Sequence, residues 1–171
     1  MAELITGDRE ESPNKKIPVV VVLDRLRSAH NVGNIFRLAD AVHLKAVYTC
    51  GYTATPPHPK LEKTAMGTDS FVTCKHFDHS LEAVQRLQSE GYKVYAVDTV
   101  EGAEDVHQLN FSGKCAFVFG NEALSIQQET LEACDAYIRL EARGLKNSIN
   151  VSNCAAVVLF KVASNLSSSE I

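Results

Sequence analysis

The apolar positions of this chain change period several times, and each change marks an element. After Ile17 and Pro18, the run Val19 to Leu23 is unbroken and almost wholly β-branched, the pattern of a strand buried on both faces of a parallel sheet. Asp24 to His30 reads as a polar loop, after which Ile35, Leu38, Ala39 and Val42 recur at helical spacing with Asn31 at the expected N-cap. Residues 45–51 predict a second strand. The run from Thr53 to Pro59, Thr-Ala-Thr-Pro-Pro-His-Pro, can be neither helix nor ladder. A helical turn over 60–65 and a third strand over 70–74 follow.

Leu81, Val84 and Leu87 predict a helix over 80–89, stopped by Gly91. Strands are expected at 92–97 and 115–119, on either side of an acidic mixed stretch over 98–113. A helix over 127–133 and a short strand over 137–140 come next. From Gly144 the chain is crowded with Ser148, Asn150, Ser152 and Asn153, and then runs Ala155 to Phe160 without a polar break. Asn150 or Ser152 fits the N-cap of this last helix. Strands alternate with helices throughout, so the expected class is α/β, a mainly parallel open sheet with helices on both faces. One domain is expected over 17–163, with a mobile arm over 1–16 and a short polar tail over 164–171.

Composition narrows the function classes. The chain has 171 residues, 45% hydrophobic and 22% charged, the make-up of one globular domain. No apolar run approaches the roughly 20 residues of a membrane helix, and no signal pattern opens the chain, so a cytoplasmic protein without membrane partners is expected. Five scattered cysteines without a Cys-x-x-Cys pair indicate neither a disulfide framework nor a zinc site. The histidines lack ligand spacing, and no metal is expected. A formal net charge of -4 argues against binding a polyanion through bulk charge, so any such partner must meet a local patch.

Ligands of open parallel sheets bind beyond the carboxyl ends of the strands. Three polar clusters fall there: Asn31 to Arg37, Gly120 to Glu122, and Gly144 to Asn150. Arg37 shares a helical face with Gly33, and a cation beside a gap in the side-chain surface suits an anionic ligand. No cluster is a Gly-x-Gly-x-x-Gly or Gly-Lys-Ser/Thr fingerprint, which disfavours a dinucleotide or P-loop protein. No Gly-x-Ser-x-Gly elbow recommends a hydrolase.

Together the clusters resemble one family. Asn31-Val-Gly33-Asn-Ile-Phe-Arg37, Phe119-Gly120-Asn121-Glu122 and Ser148-Ile149-Asn150-Val-Ser152 are similar, in order and spacing, to the three motifs of the SpoU (TrmH) group of RNA ribose 2′-O-methyltransferases in the SPOUT superfamily. The Pro-Pro-His-Pro loop and Lys63 to Gly67 add to the likeness. The resemblance implies a deep C-terminal trefoil knot, a homodimer, S-adenosylmethionine as cofactor and RNA as partner, with transfer RNA slightly preferred over ribosomal RNA. It places the cofactor against Phe119, Gly120, Asn121, Glu122, Leu140, Gly144, Ser148, Ile149 and Asn150. It makes Arg37 the catalytic arginine, with Asn31, Glu122, Ser148 and Asn150 as its polar shell. Because a guanidinium stays protonated in proteins, Arg37 is read as gripping phosphate and stabilising an alkoxide rather than as a base.

Candidate RNA contacts are Arg25, Arg27, Arg37, Lys60, Lys63, Arg143 and Lys146, with Lys15 and Lys16 at the end of the arm. Two positions depart from the family pattern: Ser125 stands where a glycine is usual, and Leu140-Glu141 where Ile-Pro is usual. Serine there costs strain if the backbone needs positive φ. These departures keep open an alternative, a catalytically degenerate RNA-binding protein on the same fold.

Overall fold

The structure is a computed structural model that describes residues 1–5, 7 and 15–168. Half of the expected arm and the last three residues of the expected tail lie outside the described residues. The strands are β1 (Ile17–Asp24), β2 (Leu44–Cys50), β3 (Cys74–Phe77), β4 (Lys93–Val97), β5 (Glu104–Asp105), β6 (Cys115–Gly120) and β7 (Ala136–Arg139). They form one sheet in the order β3-β2-β1-β6-β4-β7-β5, and every pairing is parallel. The run expected to be buried on both faces occupies the centre: Val19 to Leu23 are at most 1% exposed.

Alternation along the strands splits the core. Val19, Val21, Leu23, Phe117 and Phe119 point to the face covered by helices α1 (Ala29–Ala41), α2 (Pro59–Ala65) and α5 (Val151–Ser168). Val20, Val22, Ala116 and Val118 point to the other, where α3 (Ser80–Ser89) and α4 (Gln128–Ala133) pack. Helices on both faces are what a parallel sheet requires, since its crossovers must bury both sides. Ala155, Val158, Leu159 and Val162 of α5 are buried, yet Phe160 in the same apolar run is 53% exposed.

Four local expectations change. The third strand is Cys74–Phe77, not 70–74: residues Thr68–Ser70 form a 3-10 turn and Phe71 is exposed, so the apolar character of Phe71 and Val72 does not mark a buried strand. Helix α1 begins earlier, with Ser28 rather than Asn31 as its cap; the Ser28 hydroxyl accepts from the Asn31 amide at 3.2 Å. The serine-rich end is helical through Ser168. It is held by Leu166 against the core and by the Asn165 side chain, which accepts from the Phe111 amide at 3.0 Å.

The fourth change concerns Gly33, whose bare surface is not a gap for an anion. Helix α2 fills it: a methyl group on Gly33 would collide with the Thr64 hydroxyl and the Leu61 carbonyl oxygen. The glycine permits the close approach of two helices. Gly33→Ala is therefore expected to destabilise the fold by about 1–3 kcal/mol, the range for forcing an extra carbon into a packed contact. A lower urea midpoint at unchanged m-value would register it.

Candidate active site

Because all strands are parallel, their carboxyl ends meet at one edge. Asp24 at the end of β1 lies level with Cys50 of β2 and Gly120 of β6, and Val97 of β4 lies level with Phe119 and Ile138. Asp24 is fully buried, and a buried carboxylate demands partners. Arg25 Nε donates to its Oδ1 at 3.2 Å and the Gln127 amide to its Oδ2 at 2.8 Å. To fold back in this way Arg25 adopts φ 54, and its Nη2 also donates to the Ser125 carbonyl at 3.2 Å. Arg25, expected among the RNA contacts, is thus committed to the architecture, its side chain only 19% exposed.

The loop after β6 is tightly determined. A methyl on Gly120 would strike the backbone of Ser125 and Ile126, so this glycine allows the loop to fold back over the end of its own strand. Asn121, 4% exposed, accepts from the amides of Ala123 and Leu124 at 2.8 Å each. It donates to the Arg25 carbonyl at 2.7 Å and to the Tyr52 hydroxyl at 2.8 Å. Ser125 sits at φ 60, the left-handed region that the usual glycine tolerates and an L side chain resists.

Glu122 ties the three motifs together. Its Oε2 accepts from the Arg27 amide at 2.9 Å, and its Oε1 from the Ser28 amide and Asn31 Nδ2, both at 3.3 Å. A carboxylate at the start of α1 also meets the positive end of the helix dipole. Asn31 Oδ1 in turn accepts from Asn150 Nδ2 at 3.2 Å. Asn150 caps α5, its Oδ1 accepting from the Ser152 amide at 2.9 Å and the Ser152 hydroxyl at 2.7 Å. Residues 119 positions apart in sequence thereby share one hydrogen bond. Partial burial alone would raise the Glu122 pKa, but the bonds from Arg27, Asn31 and Ser28 outweigh it and hold the carboxyl below its ordinary value.

This network borders a cavity of about 580 Å³ at the ends of β4, β6 and β7. Phe119, Gly120, Asn121, Glu122, Leu140, Ser148, Ile149 and Asn150 all line it. Gly144 does not; it is exposed, with open space around it. Arg37 lies outside the cavity as well, exposed on α1 and without a hydrogen bond or ion pair among the described residues. Val97, Asp98, Thr99, Arg139 and Cys154 also line the wall, and sequence reasoning missed them. Val97, Asp98, Thr99 and Arg139 arrive because β4 lies between β6 and β7, a matter of strand order that periodicity does not carry, and Cys154 comes from the first turn of α5. The Asp98 carboxylate accepts from the Thr99 amide at 2.8 Å and the Ile126 amide at 3.4 Å. Burial, helped by the nearby Asp98 charge, pushes the Cys154 thiol up to about 11, which keeps it protonated and unreactive at neutral pH. Of the remaining expected cations, Arg27, Lys60, Lys63, Arg143 and Lys146 are exposed, Arg143 lying 3.7 Å from Glu141.

The depressed Glu122 pKa has a consequence for stability. An unfolded glutamate titrates near ~4.3, so the stabilisation is fully present above that pH and is lost as the pH falls through the lower folded value. Glu122→Gln, which cannot ionise, is expected to be less stable than the native protein by a constant margin above about pH 5. The margin should narrow below about pH 4 as Glu122 itself becomes protonated. Urea titrations of both proteins across this range measure it.

Comparison with known proteins gives this geometry its context. The model of the SpoU rRNA Methylase family matches residues 18–160. The tRNA (guanosine(18)-2′-O)-methyltransferase of Thermus thermophilus is 29% identical over 153 residues, covering 89% of this chain and 78% of the relative. The 23S rRNA (guanosine-2′-O-)-methyltransferase RlmB of Vibrio cholerae is 31% identical over 145 residues, 84% of this chain but only 58% of the relative. Among solved structures, the A. aeolicus TrmH/SpoU tRNA modifying enzyme shares the fold with a TM-score of 0.82 at 19% identity, covering 91% of this chain and 79% of that one. The AdoMet-bound rRNA methyltransferase of Sinorhizobium meliloti aligns with a TM-score of 0.77 at 25% identity, covering 84% of this chain and 54% of that one. Apart from Ile17, the matched segment takes in the seven strands found among the described residues and each of the three clusters, and by that match the chain belongs to the SpoU rRNA Methylase family.

Proposed function

We propose that this protein is an S-adenosylmethionine-dependent methyltransferase that modifies a ribose 2′-hydroxyl in structured RNA. The observation that carries the reading is the Glu122–Asn31–Asn150 chain of hydrogen bonds, which brings the three motifs to the mouth of one cavity. The residues present fit the cofactor. Val97, Phe119, Leu140 and Ile149 supply apolar wall for an adenine, and the carboxylates of Asp98, Glu122 and Glu141 suit a sulfonium cation. Among the described residues Arg139 Nε is buried without a hydrogen-bond partner, a donor available to an amino-acid carboxylate. When bound there, S-adenosylmethionine supplies the electrophilic methyl group.

The remaining chemistry belongs to the chain. Positioning and electrostatic stabilisation of the attacking oxygen are what methyl transfer needs from it. A guanidinium acts as a cation and not as a base; Arg37 grips the RNA phosphate and stabilises the developing alkoxide, while the proton leaves to a phosphate oxygen or to water. Glu122 is a poor base, since its oxygens already accept three hydrogen bonds and its pKa is depressed. It orients Asn31, and Asn31 with Asn150 orients the ribose or Arg37. Ser148 shapes the cofactor loop.

Arg27, Lys60, Lys63, Arg143 and Lys146 are the exposed cations that contact RNA in this reading. Transfer RNA is preferred over ribosomal RNA, in keeping with the transfer RNA methyltransferase among its relatives. The protein works as a homodimer in the cytoplasm, with the chain after β6 knotted. The exposed Phe160 and Ile149 support the dimer. The packing of the β7–α5 loop on the loop after β4, where Thr99 Oγ1 donates to the Asn147 carbonyl at 3.4 Å, supports the knot. Among the described residues no helix is long and apolar enough to cross a membrane. The strained φ of Ser125 favours one second reading, a degenerate RNA-binding protein on the same fold.

Labelled methyl groups from S-adenosylmethionine should enter unmodified transfer RNA as 2′-O-methyl nucleotide. Arg37→Ala should lower that rate roughly 100-fold or more, as loss of a transition-state charge donor does, with cofactor affinity unchanged because Arg37 lies outside the cavity. Labelled ribosomal RNA in place of transfer RNA would change the substrate. Neither label nor binding of S-adenosylhomocysteine would overturn the enzyme in favour of the second reading.

A further inference from the structure

A second cavity, of about 840 Å³, opens beyond the carboxyl ends of β1, β2 and β3. Its chemistry is the reverse of the first: no carboxylate lines it among the described residues, and it is rimmed by Arg27 and Lys60. At its edge Tyr52 is 60% exposed, yet its hydroxyl is held by Asn121 Nδ2 at 2.8 Å. An exposed tyrosine ordinarily turns its hydroxyl to water. Here the hydroxyl is pinned to the Gly120–Glu122 loop and the ring is left facing solvent, a fixed aromatic surface without an intramolecular ring partner among the described residues.

Two imidazoles of the same cavity are also fixed. His58 Nδ1 accepts from the Lys60 amide at 3.3 Å, so in the neutral ring Nε2 carries the proton and is a donor. His76 Nδ1 sits 3.1 Å from the Thr49 hydroxyl and 3.2 Å from that of Thr55. An aromatic face, fixed polar ring edges and two cations are the set by which proteins hold an unstacked nucleotide. Hydrogen bonds join the two cavities: Asn121 and Glu122 line the first, and their side chains bond the Tyr52 hydroxyl and the Arg27 amide of the second.

We propose that this cavity receives a nucleotide of the RNA strand next to the one whose ribose reacts, its base stacked on Tyr52 and its phosphate between Arg27 and Lys60. The proposal rests on the RNA methyltransferase reading and deepens it, making Tyr52 a substrate-binding residue that selects an unpaired nucleotide over a paired one.

Binding of a mixed-sequence single-stranded RNA octamer at low salt tests it, with S-adenosylhomocysteine affinity measured in parallel for native, Tyr52→Ala and Tyr52→Phe proteins. Tyr52→Ala is expected to bind the octamer roughly 10- to 100-fold more weakly, the effect of removing one stacked base. Tyr52→Phe, which keeps the ring but loses the bond from Asn121, should recover part of that loss. Octamer affinity in Tyr52→Ala equal to native, or a loss that Tyr52→Phe fails to recover, overturns the subsite. No binding of the octamer by the native protein overturns it too. Loss of octamer binding in Tyr52→Ala in a protein that binds no cofactor at all would uphold the subsite while overturning methyl transfer.

Discussion

A sheet whose strands all run the same way must resolve its polar ends at a single edge, and the rest of this molecule follows from how it does so. The central strand ends in a fully buried carboxylate, Asp24. Burying a charge is costly unless it is paired and hydrogen-bonded. Its partners come from the next residue, Arg25, and from the Gln127 amide just before α4. Satisfying Asp24 therefore pulls the loop after β6 back across the end of β1. Gly120 makes the fold-back sterically possible, and Ser125 bears the backbone strain of completing it.

Once that loop is in place, Glu122 is delivered to the start of α1 and the polar groups divide into two kinds. Some are consumed by the architecture: Arg25 by Asp24 and Ser125, Asn121 by its own loop and Tyr52, Glu122 by two amides of the α1 start. Others are left open, among them Arg37 on the surface of α1 and the buried Nε of Arg139 in the cavity wall. The division explains why residues of like chemistry in the sequence have unlike roles. Arg25 and Arg37 are both arginines beside the site, yet only one has its guanidinium free for a ligand.

The same division separates the two cavities. Asp98, Glu122 and Glu141 make the first acidic, suited to a positively charged cofactor. Arg27 and Lys60 make the second basic, suited to a phosphate-bearing strand. A chain with net charge -4 has no overall attraction for RNA. Charge is thus segregated between adjacent cavities of a chain that is net negative in bulk.

The sequence by itself determined the class of fold, the order of most elements and the residues of the three clusters. Continuous β-branched runs and helical stripes are local signals, set by which faces are buried, and Val19 to Leu23 or Leu81, Val84 and Leu87 carry them plainly. Local signals mislead where burial is partial: Phe71 and Val72 look like a strand, and the edge strand Cys74–Phe77 does not. A cap that depends on where the chain enters a helix, Ser28 instead of Asn31, is ambiguous for the same reason. Tertiary structure alone decided what crosses long stretches of chain. It put β4 between β6 and β7 and so brought Asp98, Thr99 and Arg139 to the cavity. It closed the space beside Gly33 with α2, tied Arg25 to the Ser125 carbonyl and so out of the surface patch, and turned Tyr52 toward Asn121. These contacts join residues tens of positions apart, and their energies depend on packing and on the partners a buried polar group can reach, neither of which has a period that a sequence can display.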